Sequence, residues 1–295
     1  MRNKAGYLIT AYKDFDAVYE LASFLSKEDE VFIHVDKKSR EIGREEMERL
    51  NALPRCHAVS VYAIAWGGYT HVRAILKLMQ MAVSREDVGY LHFLTGEDFP
   101  VHSPDRLHEE FAEDEHIYLS YIEEKDFNSA VKKRYYYYNL FQDKNVKNPF
   151  LWQFQNLTVN VQKMLGIRRK SLGEFSKVYK GLVYISMPRA AAADILEYVR
   201  KHPEYERALY RCQIPEEFFF HTLLLNEKFC NGKWKSHIVD RELRYMNWSR
   251  GDGGSPSYLE EADYEEIAAG DYCFARKFHS RGSEKLKEKI MGNLW

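Results

Sequence analysis

The chain has 295 residues, 45% of them hydrophobic and 29% charged, a composition that supports a packed core. Its formal net charge of −1 excludes the basic signature of a nucleic-acid-binding protein, and no apolar run approaches the roughly 20 residues of a membrane span. The charge is uneven: residues 131–180 hold eleven Lys and Arg against Asp143 and Glu174, a balance of +9 that leaves the rest at −10 and predicts a basic face for an anionic partner.

Strand and helix patterns alternate through residues 1–120. Residues 6–10 read as a buried strand. Residues 14–26 read as a helix with Val18, Leu21, Ala22 and Leu25 on one face, and 31–35 as a second strand ending at Asp36. A charged helix over 41–50, a strand over 58–62, an amphipathic helix over 70–83 and a strand over 90–94 follow, and Leu107 to Phe111 belongs to another helix. This alternation predicts an α/β fold with a mainly parallel central sheet flanked by helices, whose ligand sits beyond the carboxyl ends of the strands. Thr10, Asp36, Trp66-Gly67-Gly68 and the stretch Thr95 to Asp98 fall at those ends, as a nucleotide site requires. GxGxxG and Walker A loops are absent.

Residues 121–180 break the alternation with Lys132-Lys133-Arg134-Tyr135-Tyr136-Tyr137-Tyr138, Asn148-Pro149-Phe150-Leu151-Trp152 and Arg168-Arg169-Lys170. They read as an inserted, basic, partly helical subdomain. Beyond it come a strand over 181–186, helices over 188–201 and 215–226, short strands over 236–239 and 243–246, a Gly-rich loop over 251–256, a helix over 260–268, a strand over 272–278 and a helix over 283–291. The expectation is one domain over 1–295, with a nucleotide-binding half (1–120), the insertion, and an acceptor and catalytic half (181–295). Cys56, Cys212, Cys230 and Cys273 are far apart and form no Cys-x-x-Cys. With an N-terminus leading straight into a strand, they point to reduced thiols and a cytoplasmic protein.

Two segments carry the chemistry. Pro215-Glu216-Glu217 opens an aromatic helix, Phe218-Phe219-Phe220, so a carboxylate in its first turn faces a cleft rather than bulk water. Partial burial raises such a group toward the range of a general base. Phe274-Ala275-Arg276-Lys277-Phe278 sets two cations in a strand, where neighbours face opposite sides and one serves as an anion clamp. Asp14-Phe15-Asp16, at a helix start, reads as a cap. Thr70 reads as a helix cap and His34 as a strand histidine. The eleven His lack ligand spacing, and Gly96-Glu97-Asp98-Phe99 stands where an Asp-x-Asp would hold a divalent ion, so no metal is expected, although Asp98 is able to bind one.

Ile33-His34-Val35-Asp36-Lys37-Lys38-Ser39, Trp66-Gly67-Gly68, Leu94-Thr95-Gly96-Glu97-Asp98-Phe99-Pro100, Pro215-Glu216-Glu217-Phe218-Phe219 and Phe274-Ala275-Arg276-Lys277-Phe278 stand in one order. In that order they resemble the core-2/I-branching β-1,6-N-acetylglucosaminyltransferases and the related peptide O-xylosyltransferases. Trp248 and Gly253-Gly254-Ser255-Pro256 resemble the xylosyltransferase branch and bacterial members. The resemblance spans nearly the whole chain. It implies a GT-A-type fold, a UDP-sugar donor with no further cofactor, inversion at the anomeric carbon and independence from a divalent metal. It maps the base to Glu217, with Glu216 where Asp is usual, and the diphosphate-binding cation to Lys277, beside Arg276. Arg244 and Arg250 both remain open as the assisting arginine, and Asp36 falls at the nucleotide-binding strand end. Glu97, Asp98, Glu216 and Trp248 are expected at the donor and acceptor pocket. The animal members carry a membrane anchor and disulfides. This chain resembles a bacterial cytoplasmic member, for which an acceptor in surface polysaccharide synthesis is expected.

N-acetylglucosamine is the first donor expected and xylose or another sugar the alternative. A catalytically silent nucleotide- or glycan-binding protein on the same fold is a second alternative, against which Glu217 and Lys277 stand. The basic segment fits a lipid-diphosphate-linked acceptor at the inner face of a membrane, and equally a solvated basic subdomain or a contact with a second subunit. Lys132, Lys133, Arg134, Arg168, Arg169 and Lys170 would meet head groups and Phe150-Leu151-Trp152 the interface.

Overall fold

The computed structural model describes residues 4–141, 144, 148–169, 172, 174–251 and 255–295. The N-terminal units are β1 (Lys4–Ala11), α1 (Phe15–Leu25), β2 (Glu30–Val35), α2 (Arg44–Asn51), β3 (Cys56–Val59), α3 (Thr70–Val83) and β4 (Val88–Thr95). They continue with β5 (Asp98–Pro100), α4 (Pro104–Phe111) and β6 (Ile117–Leu119). The basic segment holds β7 (Ile122–Glu123), α5 (Ser129–Tyr136), α6 (Pro149–Met164) and β8 (Tyr179–Lys180). After it come β9 (Ser186–Pro188), α7 (Arg189–Lys201), α8 (Pro203–Tyr210), α9 (Glu216–Leu225), β10 (Ile238–Asp240), β11 (Arg244–Met246), α10 (Tyr264–Ala269), β12 (Phe274–Arg276) and α11 (Glu284–Asn293).

The central sheet runs β10-β6-β9-β4-β1-β2-β3. Its β1–β2, β1–β4, β2–β3 and β10–β6 pairs are parallel, and β9 is antiparallel to β4 and β6. It is thus an α/β fold with a mainly parallel sheet between helices, as the alternation predicts. The strands read as continuous apolar runs because both faces are covered. Along β1 the faces alternate: Leu8 packs in the core with α3, α7 and α9, while Tyr7 and Ile9 pack with α1, α2 and α4. β9 and β10, from the C-terminal half, bond into the same sheet as β1–β4.

A second sheet, β11-β12-β5, lies over its own core of Phe99, Tyr245, Ile267, Phe278, Leu286 and Ile290. β5 follows β4 after two residues, so this sheet is tied directly to the carboxyl end of the first.

Some expectations move. The strand expected over 58–62 is β3, two residues earlier, because Val61 and Tyr62 turn their amides onto His34 Nε2 at 3.3 and 3.0 Å. The strand expected over 181–186 begins only at Ser186, since Gly181 spends its amide on the Glu217 carbonyl at 2.9 Å. The strand expected over 272–278 is the shorter β12. The Gly-rich loop loses Asp252, Gly253 and Gly254, and the basic segment Lys170, to positions outside the described residues.

α6 has inverted amphipathicity. It buries Gln155, Val159 and Gln162, whose amides bond the backbone of Tyr138 and Leu140. It exposes Phe150, Phe154, Leu157, Val161 and Met164, spaced four and three apart on one face. Among the described residues, no helix is long and apolar enough to cross a membrane.

Candidate active site

The loops after β1, β2, β3 and β4 meet at one edge of the sheet. Asp36 donates its amide to the Ala11 carbonyl, Gly96 donates to the Thr10 carbonyl, and Lys37 donates to the Tyr62 carbonyl. Asp36 then holds the edge together, its Oδ1 accepting from the amides of Lys38 and Ile64 at 2.9 and 3.0 Å. With Tyr12, Lys13, Ser39, Arg40 and Glu41 it lines a pocket of about 250 Å³.

Trp66-Gly67-Gly68 closes this edge against α9. Gly67 has φ +73, a conformation that favours glycine, and its carbonyl accepts from the Ile214 amide at 2.8 Å. Ile214 itself has φ 54, rare for a β-branched residue, at the turn that aims Pro215-Glu216-Glu217 at the sheet. Thr70 does not cap α3. Its hydroxyl accepts from the Ala65 amide at 2.9 Å and braces the Trp66 turn instead. Trp66 is 46% exposed at the rim.

α9 is buried on all sides from Phe218 to Leu225, so its two acids are fixed in place. Glu216 reaches His71, with Nδ1 to Oε1 at 3.1 Å, and the other ring nitrogen of His71 lies 3.4 Å from the Thr10 hydroxyl. Glu217 sits between Lys180 Nζ at 3.1 Å and Arg134 Nη1 at 3.6 Å. Both cations pair with the Glu217 Oε2, and Oε2 of Glu216 is buried without a hydrogen-bond partner. Burial raises the Glu217 carboxyl above its ordinary value, helped by the Glu216 charge and opposed by Lys180 and Arg134. Lys180 is placed by β8 and the close approach behind it: a Cβ on Gly181 would lie 2.0 Å from the Ser120 carbonyl and 2.3 Å from the His221 ring.

A second charged group surrounds Glu97. Lys13 lies 3.0 Å away, Tyr258 donates its hydroxyl at 2.9 Å, and Arg276 lies at 3.5 Å. Burial alone would raise Glu97, but Lys13, Arg276 and Lys277 hold it below its ordinary value. Arg276 stacks on Tyr184 at 4.6 Å and is 5% exposed, yet its Nε and Nη1 are buried without hydrogen-bond partners. Lys277 reaches the Ser255 hydroxyl and the Tyr258 ring. Arg276 is buried at the end of β12 and Lys277, past it, is half-buried, and both cations act on Glu97.

Asp98 and Arg244 are spent on each other. Their contact is 2.9 Å with side chains 0% and 2% exposed, and Asp98 also accepts from the Thr95 hydroxyl at 2.9 Å. Arg244 donates to the Phe93 carbonyl and stacks on the face of Tyr184 at 4.1 Å. The pair clasps β4, β5 and β11. Arg250 pairs with Glu260 and Asp263 at the end of the small sheet. Trp248, 51% exposed, lines a cavity of about 500 Å³ with Arg241, Glu242, Arg244 and Tyr272. Burial raises the Glu242 carboxyl there against the pull of Arg244.

The structure therefore gathers Thr10, Glu216 and the Trp66 turn in one group and Glu97, Arg276 and Lys277 in another, joined where Gly96 bonds Thr10. His71, Lys13, Lys180, Tyr184, Tyr258 and Glu242 were not anticipated. His71 alone had a signal, sitting one residue past Trp66-Gly67-Gly68-Tyr69-Thr70. Asp14 caps α1, accepting from the Ala17 amide at 3.4 Å, and His34 is a buried neutral acceptor held down to about 4 by burial.

Among known proteins, the chain is 24% identical to a xylosyltransferase of Ciona intestinalis over 89% of this chain and 30% of that protein. It is 25% identical to xylosyltransferase sqv-6 of Caenorhabditis briggsae over 87% and 29%. It is also 25% identical to xylosyltransferase 2 of Canis lupus familiaris over 90% and 30%. The chain thus spans under a third of the length of these curated relatives. A solved structure of the galactosyltransferase LgtC, in complex with donor and acceptor sugar analogs, aligns over 98% of this chain and 96% of that one, with TM-score 0.39 and 11% identity. The family model described as Core-2/I-Branching enzyme matches residues 5–270, and the chain belongs to that family.

Proposed function

We propose that this chain is an inverting, metal-independent glycosyltransferase that moves a sugar from a UDP-sugar to a hydroxyl of a glycan acceptor. The observation that carries the reading is Glu217, a fixed carboxyl raised by burial in the first turn of α9, whose neighbour Glu216 is linked through His71 to Thr10 near the end of β1. As base, Glu217 takes the acceptor proton while the oxygen attacks the anomeric carbon from the side opposite UDP. Arg276, with two buried N–H groups unpartnered, and Lys277 beside it supply charge for the departing diphosphate. Metal independence rests on the side chains: Asp98 is tied to Arg244, and Glu97 to Lys13 and Arg276, so the stretch after β4 offers no paired free carboxylates. UDP is read at the strand ends by Asp36 and the Trp66 turn. N-acetylglucosamine, from the motif resemblance, is the first donor sugar in this reading, and the xylosyltransferase relatives make UDP-xylose the second donor to test.

The acceptor is membrane-borne in this reading. α6 shows an apolar stripe to solvent, with Lys132, Lys144, Lys163 and Arg168 exposed around it. Arg169 does not join them, being buried over the Tyr138 ring, and Arg134 turns inward to Glu217. α5 thus stands between the stripe and the proposed base, with Lys133 bonded to Asn156 of α6. A face docked on the inner leaflet would bring a lipid-diphosphate-linked glycan to Glu217.

A panel of UDP-sugars screened by thermal shift, then by UDP release with glycan acceptors, tests the reading. Glu217→Gln is expected to lower turnover by about a hundredfold or more while UDP binding stays within about twofold. Surviving turnover overturns the assignment. Turnover lost on chelation and restored by manganese overturns the metal-free part.

A further inference from the structure

Three residues that the mechanism does not use meet behind the small sheet. His102 leaves β5, Glu110 sits in the last turn of α4, and Cys273 precedes β12. Their ligand atoms all lie within 4.8 Å of one another. His102 Nδ1 is 3.5 Å from Glu110 Oε2, and Cys273 Sγ is 3.8 Å from Glu110 Oε1. Cys273 is fully buried and His102 is 7% exposed. The His102 Nδ1 atom is buried and has no hydrogen-bond partner, although it points at the carboxylate. An unpartnered imidazole nitrogen in such a place is costly unless something takes its lone pair.

We propose that His102, Glu110 and Cys273 form a zinc site that staples β12 to β5 and α4. The donors are one imidazole nitrogen, one thiolate and one carboxylate, a mixed set that four-coordinate zinc accepts. Bonds of about 2.0 Å to N and O and about 2.3 Å to S give tetrahedral edges of roughly 3.3 to 3.5 Å. The two separations to Glu110 exceed those edges by a few tenths of an ångström, His102 and Cys273 lie within 4.8 Å of each other, and Glu110, 37% exposed, has the freedom to move onto the ion. Its exposed side leaves the fourth position to water. Binding releases the Cys273 proton, so metal binding weakens as pH falls. The staple has a structural consequence. Val101 donates to the Cys273 carbonyl at 2.8 Å, and three residues after Cys273 the same strand presents Arg276 and then Lys277. A metal here fixes the root of the strand that carries the cations, away from the acid Glu217. The site therefore stands whether or not the proposed transfer reaction does.

The test uses the full chain purified without chelator. Zinc content after dialysis is expected near one per chain, and cobalt replacing it gives a tetrahedral visible spectrum with a thiolate charge-transfer band. Cys273→Ser removes that band. Glu110→Gln, at the exposed ligand, keeps the fold by circular dichroism and weakens cobalt binding by roughly tenfold or more. Removing the metal lowers the thermal midpoint of the wild type and leaves that of Glu110→Gln nearly unmoved. Less than stoichiometric metal with no charge-transfer band in the wild type overturns the site in favour of a hydrogen-bonded thiol and carboxylate only. A band that survives Cys273→Ser assigns the thiolate to another cysteine and overturns it too. UDP binding followed in parallel separates this outcome from failure of the transferase reading.

Discussion

At the scale of single residues, Glu217 is set by opposing forces. Burial and Glu216 push its carboxyl up, while Lys180 and Arg134 pull it down, and the push is larger. A base must be deprotonated to act, so kcat/KM should fall on the acid side at a pH above the ordinary glutamate range. Lys180→Met removes the larger of the two downward pulls. The acid limb should then move to higher pH, with UDP binding unchanged; a limb that stays in place or moves down would assign it to another group. The same shift bears on stability. The folded state holds this proton more tightly than the unfolded one, so Glu217 costs stability as pH rises from the unfolded carboxyl value through the raised folded one. Lys180 was not legible in the sequence, because its role comes from a two-residue strand and a glycine behind it rather than from any motif. Glu217 was legible because its burial follows from the three Phe next to it in the chain.

At the scale of elements, long periodic segments were readable and short ones were not. Residues 70–83 match α3 because fourteen residues give several turns of periodicity. β5, β7, β8 and β12 have two or three residues each, too few to show a period, and they build much of the candidate site. The Asp98–Arg244 clasp shows the consequence. From sequence, both residues are polar groups at element ends and read as ligand contacts. Only the register of β5, β12 and β11 buries them together. Arg244→Met should leave Asp98 buried and unpaired, costing about 3–5 kcal/mol in urea unfolding. The double variant Arg244→Met with Asp98→Asn should recover part of that loss. An Arg244→Met protein as stable as wild type, with UDP binding abolished, would instead return Arg244 to the donor site.

At the scale of the whole molecule, charge and apolar surface are segregated. The +9 segment lies in a chain of net charge −1 and holds the exposed apolar stripe of α6. The unevenness was visible in the sequence, but the inversion of α6 was not, because both of its faces carry apolar and uncharged polar residues. A second copy docked on that stripe would set like-charged segments against each other, whereas an anionic bilayer satisfies charge and apolar area together. Each Lys or Arg near such a surface contributes about 1 kcal/mol, so Lys132, Lys144, Lys163 and Arg168 give a few kcal/mol before the stripe inserts. The chain should therefore float with vesicles containing phosphatidylglycerol at low salt and much less with neutral ones. Raising salt to about 1 M shortens the screening length to roughly 3 Å and should release most of it. Phe154→Glu with Leu157→Glu should abolish flotation while transfer to a water-soluble acceptor continues, since neither side chain faces the site. Equal flotation with neutral vesicles would remove the electrostatic part. No flotation with either, together with concentration-dependent dimerisation that the double variant abolishes, would give the stripe to a second copy instead.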